Sequence, residues 1–403
     1  MTPVPLLATG TAADALLQIA IIFGAAKIAG EIVTRLGGVA LVGELAVGVL
    51  LGPHALGIIR EDPLAVGLAE FGVIVLLFMV GLEMDFGQLK VVGARGILVG
   101  TAGIVLPFGA GAGLMYLTGE PTPTALFVGT ALVATSVGIT ARVLSELGLL
   151  GETESVIILA AAVVDDVLGL LVLAAVTAIG SGTLDPLQLG ILLVETLIFI
   201  GVLLTMGRAA VKRHGHRVRH LRIPHGELSF ALLACLILAV LAGTIGLAAI
   251  VGAFLAGLVV ADLSTGEADL KHELEPIQTL LVPFFFVLTG ARLDIGALID
   301  PGVLLLGGVL TVLAILTKLV GCGLAMWGTS LRSAVRVGTG MVPRGEVGLV
   351  VASIGLGAGI IDGALYGAVL MMVAITTLVA PFLLGPAYAF GSPTPQPTPS
   401  RDA

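Results

Sequence analysis

The sequence predicts an all-α polytopic membrane protein of about thirteen transmembrane helices, built as two inverted repeats of five helices with two broken helices. Three observations carry that expectation. Of 403 residues, 57% are hydrophobic and 11% charged, with a mean hydropathy of +1.15, whereas a soluble domain carries about 25% charged residues. Apolar windows near the length that crosses a hydrocarbon core recur along the chain. Two segment pairs resemble each other at one shared offset of 209 residues: Gly43–Gly52 with Gly252–Ala261, and Leu76–Phe86 with Phe285–Ile295.

In order, the windows are 13–35, 38–52, 63–84, 96–118, 122–146, 153–180, 187–210, 226–244, 246–262, 274–291, 302–328, 333–358 and 364–389. The second and ninth are short and glycine-rich. The total of 57 glycines suits tightly packed membrane helices. The offset crosses seven spans, an odd number, so the two copies face opposite ways in the membrane. Spans two to six and nine to thirteen form the repeats; the first is peripheral, and the seventh and eighth link the halves. Inverted repeats place a transporter's site near the midplane between them. The Pro-rich tail, 391–403, cannot build a core and is expected to be disordered. No basic region followed by a cleavage site precedes the first span, so that span is expected to be retained. Cys235 and Cys322 lie inside apolar helices and read as small core residues.

Orientation follows from Lys and Arg between spans. The connection 208–222, Arg-Ala-Ala-Val-Lys-Arg-His-Gly-His-Arg-Val-Arg-His-Leu-Arg, reads as a cytoplasmic loop. Counting outward puts Arg35, Lys90, Arg95, Arg142, Lys271, Arg332 and Arg336 on the same side, and Arg60 and Arg292 on the other. The N-terminus is then outside and the C-terminus inside. The basic loop reads first as a topology signal and second as a surface for anionic membrane lipid. His214, His216, His220 and His225 read as solvated loop histidines.

Few polar groups lie at mid-span. Asp165 and Asp166 sit together in span six, and Lys318 in span eleven. A charge at the bilayer centre costs roughly 2.5–3.5 kcal/mol on insertion scales, so such residues are functional by default. Adjacent helix positions point about 100° apart, so the aspartates divide their tasks. Lys318 is the natural partner of one of them. Burial disfavours the charged form of such groups and pairing favours it, which leaves the cluster poised to exchange protons. Span five carries Thr135, Ser136 and Gly138, poor helix formers whose hydroxyls compete for backbone groups. Span twelve carries Pro343, which removes a backbone donor. Breaks at matched places in two repeats point to a binding site built from unwound carbonyls and half-helix ends. Thr135 and Ser136 are candidate ligands for a hard monovalent cation, which prefers oxygen. Arg344 and Glu346 read as local support for the break; Glu44 reads equally as a locally paired group or a cavity residue.

These residues resemble the cation:proton antiporter superfamily, in the branch of NapA-type sodium/proton antiporters and Kef-type potassium exchangers. The matching features are Asp165-Asp166, Lys318, Gly43-Glu44 through Leu51-Gly52-Pro53, and Pro343-Arg-Gly-Glu346. The resemblance implies a NapA/NhaA-like fold with a core or transport domain (about 96–180 and 302–389), a dimerisation or scaffold domain (about 13–84 and 187–291), and elevator-like alternating access. It implies that Asp166 carries the cation or a proton, and that Asp165 pairs with Lys318. It also implies that retaining the first aspartate marks electrogenic exchange of two protons per sodium ion. Kef-type members add a cytosolic nucleotide-binding domain, from which the short tail departs.

The expected activity is therefore secondary active Na+(Li+)/H+ antiport in the bacterial cytoplasmic membrane, by a homodimer, with no cofactor and no nucleic-acid partner. K+/H+ antiport with the same residues is the alternative, since residue type does not separate Na+ from K+. An ion channel would need no proton coupling, and a membrane sensor would need an output domain. No nucleophile–base pair, metal motif or phosphate loop supports an enzyme.

Overall fold

The computed structural model describes residues 12–84, 86–181, 186–219, 224–261, 270–292 and 301–390. Each predicted window contains helix among the described residues. The helices are α1 (Ala12–Arg35), α2 (Ala40–Leu51), α3 (Pro63–Glu83), α4 (Phe86–Leu117), α5 (Thr122–Val133), α6 (Val137–Glu146), α7 (Thr153–Ser181) and α8 (Pro186–Val202). After a π-turn at Leu203–Gly207 come α9 (Arg208–Arg219), α10 (Gly226–Thr244), α11 (Ala249–Val260) and α12 (Leu270–Ala291). The last four are α13 (Pro301–Ala325), α14 (Leu331–Gly340), α15 (Glu346–Gly357) and α16 (Gly363–Ala389). Among the described residues, ten helical stretches are long and apolar enough to cross a membrane, counting α5 with α6 as one, and Ala40–Leu51, Ala249–Val260 and Val347–Gly357 are shorter apolar helices.

Two expectations need correction. The basic segment read as a loop is helical over Arg208–Arg219. It is rich in Arg, Ala and Lys, holds no proline, and extends the helix already running through α8. The fourth helix starts at Phe86, ten residues before the apolar window, because hydrogen bonding propagates past the apolar boundary. The Pro-rich tail, residues 391–403, lies outside the described residues.

Local chemistry sets the helix starts. Asp62 accepts a hydrogen bond from Ala65 N at 2.8 Å ahead of Pro63, and Asp362 accepts one from Leu365 N at 2.8 Å. One buried cluster joins α4, α5, α7, α13, α15 and α16 through Met115, Phe127, Val176, Leu310, Val351 and Val369. Another joins α3, α10, α11 and α12 through Phe78, Cys235, Val260 and Leu274.

The 209-residue shift recurs in the packing. A Cβ on Gly48 would overlap the carbonyl of Val287, and one on Gly257 would overlap the carbonyl of Phe78. Shifting by 209 turns the first contact into the second. The contacts of Gly290 with Leu45 and of Gly81 with Phe254 exchange in the same way, as do Gly43 on Ala29 and Gly252 on Leu238. Backbone-to-backbone approach of this kind is available only without a side chain, and it replaces the hydrophobic drive that lipid removes.

Candidate ion-binding site

The polar centre lies where α7, α13 and the two helix breaks meet. Lys318 Nζ donates to Asp165 Oδ1 at 2.9 Å, and both side chains are buried, 0% and 1% exposed. Glycine at 103 on α4 leaves room for this pair. A Cβ there would stand 3.1 Å from Lys318 Nζ and 3.0 Å from Cys322 Sγ.

One residue on, Asp166 is half-buried. It lines a cavity of about 300 Å³ together with Asp165, Thr130 and Ala134, closed across by Gly246–Ala248 and by Val347 and Val350 of α15. The structure thus places both aspartates on one space and Asp165 on the lysine.

The breaks fall at Ala134–Ser136, between α5 and α6, and at Met341–Gly345, between α14 and α15. They touch: Ser136 N donates to Pro343 O at 2.9 Å, and Thr140 Oγ1 donates to Gly340 O at 2.8 Å. A Cβ on Gly345 would sit 2.6 Å from Ser136 Oγ, so the crossing requires glycine there. Thr135 Oγ1, Ser136 Oγ and Asp165 Oδ2 are buried without a hydrogen-bond partner among the described residues. Buried acceptor oxygens left this way are costly unless something else satisfies them. A hard monovalent cation suits such oxygens. Gly138 lies in the first turn of α6, packed on Val73 and Phe285.

Arg344 is fully buried inside the second break. Its Nη1 donates to Met341 O at 3.2 Å and its Nη2 to Ala314 O at 3.3 Å, while Thr377 Oγ1 donates to Arg344 O. The guanidinium therefore neutralises the carbonyl end of α14, where the helix dipole is negative. It also interacts electrostatically with Asp165. Two basic side chains and two carboxyl groups thus share the centre. Glu346 opens α15, and its side chain lies outside the described residues.

Glu44 is buried on α2 and faces Arg142, whose Nη2 stands 3.8 Å from Glu44 Oε1. Arg142 Nε also pairs with Glu146, which accepts from Ala40 N at 3.0 Å. Of the two roles weighed for Glu44, pairing is the one observed; it does not line the cavity beside Asp166. Sequence reasoning missed Gly103, Thr130, Gly345 and the partnership of Arg142. Only Arg142 carried a usable signal, a cation four residues before Glu146 on one helix face.

Comparison with known proteins finds a family and several relatives. The family model described as sodium/hydrogen exchanger, transmembrane, matches residues 19–389. The chain is 34% identical over 409 residues to the high-affinity Na+/H+ antiporter NhaS3 of a Synechocystis strain, covering 92% of this chain and 88% of that protein. It is 35% identical over 383 residues to the Na+/H+-K+ antiporter GerN of Bacillus cereus, covering 93% and 96%. The sodium proton antiporter MjNhaP1 from Methanocaldococcus jannaschii shares the fold, with a TM-score of 0.65 at 18% identity over 93% of this chain and 97% of that one.

Proposed function

Because the chain belongs to the sodium/hydrogen exchanger family of monovalent cation:proton antiporters, we propose that it exchanges Na+ or Li+ for protons at Asp165 and Asp166. It is a secondary transporter of the multi-pass membrane class and not an enzyme; its family works on transported ions and needs no cofactor.

One observation carries the site assignment: the buried 2.9 Å Asp165–Lys318 pair stands beside an Asp166-lined cavity at the crossing of two helix breaks. Asp166 takes the cation or a proton in turn. Ser136, Thr135 and carbonyls of the break complete an oxygen shell. With Lys318 and Arg344 positive and both aspartates negative, the four groups sum to zero. Adding a cation at Asp166 makes release of the Lys318 proton favourable, because a further positive charge in a low-dielectric centre is expensive. Return with protons on both Asp166 and Lys318 carries one more positive charge than the cation form. The exchange is then two protons per cation and electrogenic.

The packing supports the architecture proposed with it. Contacts that exchange under the 209-residue shift fit two inverted halves in a NapA/NhaA-like arrangement of thirteen spans. The shift also maps α1 on α2 onto α10 on α11, which supports adding α1 and α10 to the two five-helix repeats. The transport body is 96–180 and 302–389, and the scaffold that pairs in a homodimer is 13–84 and 187–291. Elevator-like movement of the first against the second exposes the site alternately. The membrane is the bacterial cytoplasmic one, with the N-terminus outside and the C-terminus inside. On that orientation the cavity beside Asp166 lies on the outer side, lined by the α10–α11 connection.

The decisive test is proteoliposome transport under an imposed proton gradient with Li+, Na+, K+ and Rb+. Asp166→Asn is expected to abolish cation-driven proton movement, and full activity in that variant sinks the site. Potential-insensitive exchange sinks electrogenicity. K+/H+ exchange is the second reading, favoured by the Na+/H+-K+ relative, and a K+-driven signal equal to the Na+ signal selects it.

A further inference from the structure

Glu70 lies seven residues into α3, in an otherwise apolar stretch. Val66, Ala69, Glu70, Val73 and Ile74 recur at helical spacing and line a cavity of about 400 Å³. Its far wall is Ala248–Ile250, Thr289, Arg292, Val347 and Val350. Ala248, Val347 and Val350 also line the cavity that holds Asp165 and Asp166, so the two spaces adjoin. Arg292, on the same wall, pairs with Glu61 at 3.2 Å and is engaged at the rim.

Glu70 is exposed to this space. A structural reason for a carboxylate there is hard to find. The dipole at a helix start favours acids only within the first turn, and Glu70 lies beyond it. At 1.5 Å per residue it stands about 10 Å along α3 from Pro63, and about 10 Å short of Leu77, which borders Asp166.

We infer that Glu70 forms a second cation subsite, a recruiting carboxylate on the route between one membrane face and Asp166. It gathers a hydrated monovalent cation in the adjoining cavity and raises the local concentration from which Asp166 fills. The role is one-sided: cations arriving from the opposite face do not pass α3 at this level. The inference rests on the antiport reading above.

The test uses the full-length protein in right-side-out and everted membrane vesicles. For Glu70→Gln, the KM for Na+ offered at the face carrying the α10–α11 connection is expected to rise about five-fold, with kcat and the KM at the opposite face within about two-fold. Glu70→Asp is expected to keep wild-type values, and Val66→Asp added to Glu70→Gln to recover most of the loss. An unchanged KM at both faces, an equal rise at both, or a loss of kcat overturns the subsite. If Glu70→Gln does not accumulate, choline chloride on the wild type replaces it. Added salt should then raise the KM more at the named face, and equal rises overturn the inference. A wild type that exchanges no cation for protons refutes the antiport reading instead, so the two failures are told apart.

Discussion

At the scale of single residues, Lys318 and Asp165 are held by each other, 153 positions apart and both out of water. Removing one partner strands the other, and breaking a buried pair costs about 3–5 kcal/mol, more than the intact pair contributes. Lys318→Gln should therefore lower the thermal midpoint in detergent sharply, and Asp165→Asn with Lys318→Gln should regain most of it. The double variant should also exchange cations without generating a membrane potential, read with a potential-sensitive dye. Both aspartates and the lysine were legible in the sequence because a charge inside an apolar window contradicts its surroundings. Gly103 was not: its importance comes from what lies 3.1 Å from a Cβ it lacks, and that neighbour belongs to another helix.

At the scale of elements, the two breaks differ in how openly the sequence declares them. Pro343 announces the second. The first rests on weak helix formers at 135–136, yet it is equally open, with non-helical backbone over Ala134–Ser136. Gly345 stood in the sequence only as a member of Pro343-Arg-Gly-Glu346 with no task of its own, and the crossing shows one. Gly345→Ala would place a Cβ 2.7 Å from Ser136 Cβ. It should abolish transport and destabilise the protein by about 1–3 kcal/mol, the usual cost of overpacking, measured by antiport assay and thermal unfolding. The segment 208–219 shows the converse limit. Its charge pattern bears on membrane side, while its helicity follows from the composition of the run and from α8 before it.

At the scale of the molecule, window length made the ten long apolar helices among the described residues legible, because hydrocarbon thickness is a property of the solvent. The 209-residue echo was legible too, but the glycine contacts that carry it into the packing were not. Of the Glu44–Arg142–Glu146 cluster only the Arg142–Glu146 spacing was legible; the contact with Glu44 was not, since it joins α2 to α6. It joins the proposed scaffold to the proposed transport body at the end away from the α10–α11 connection. Arg142→Gln should loosen that join. Hydrogen exchange is expected to quicken in α6 and the start of α2 while α11 and α12 keep their protection. Uniform protection would show the cluster to be ornamental to the motion.

The bond from Ser136 N to Pro343 O has a consequence of its own. It fastens two chain segments from different halves of the sequence by backbone atoms that no side-chain substitution deletes. A displacement begun on either segment is delivered to the other in full, as with two pages stapled at one corner. On the antiport proposed above, the two breaks then travel as one piece, and the ion meets the same pair of segments at each turn of the cycle.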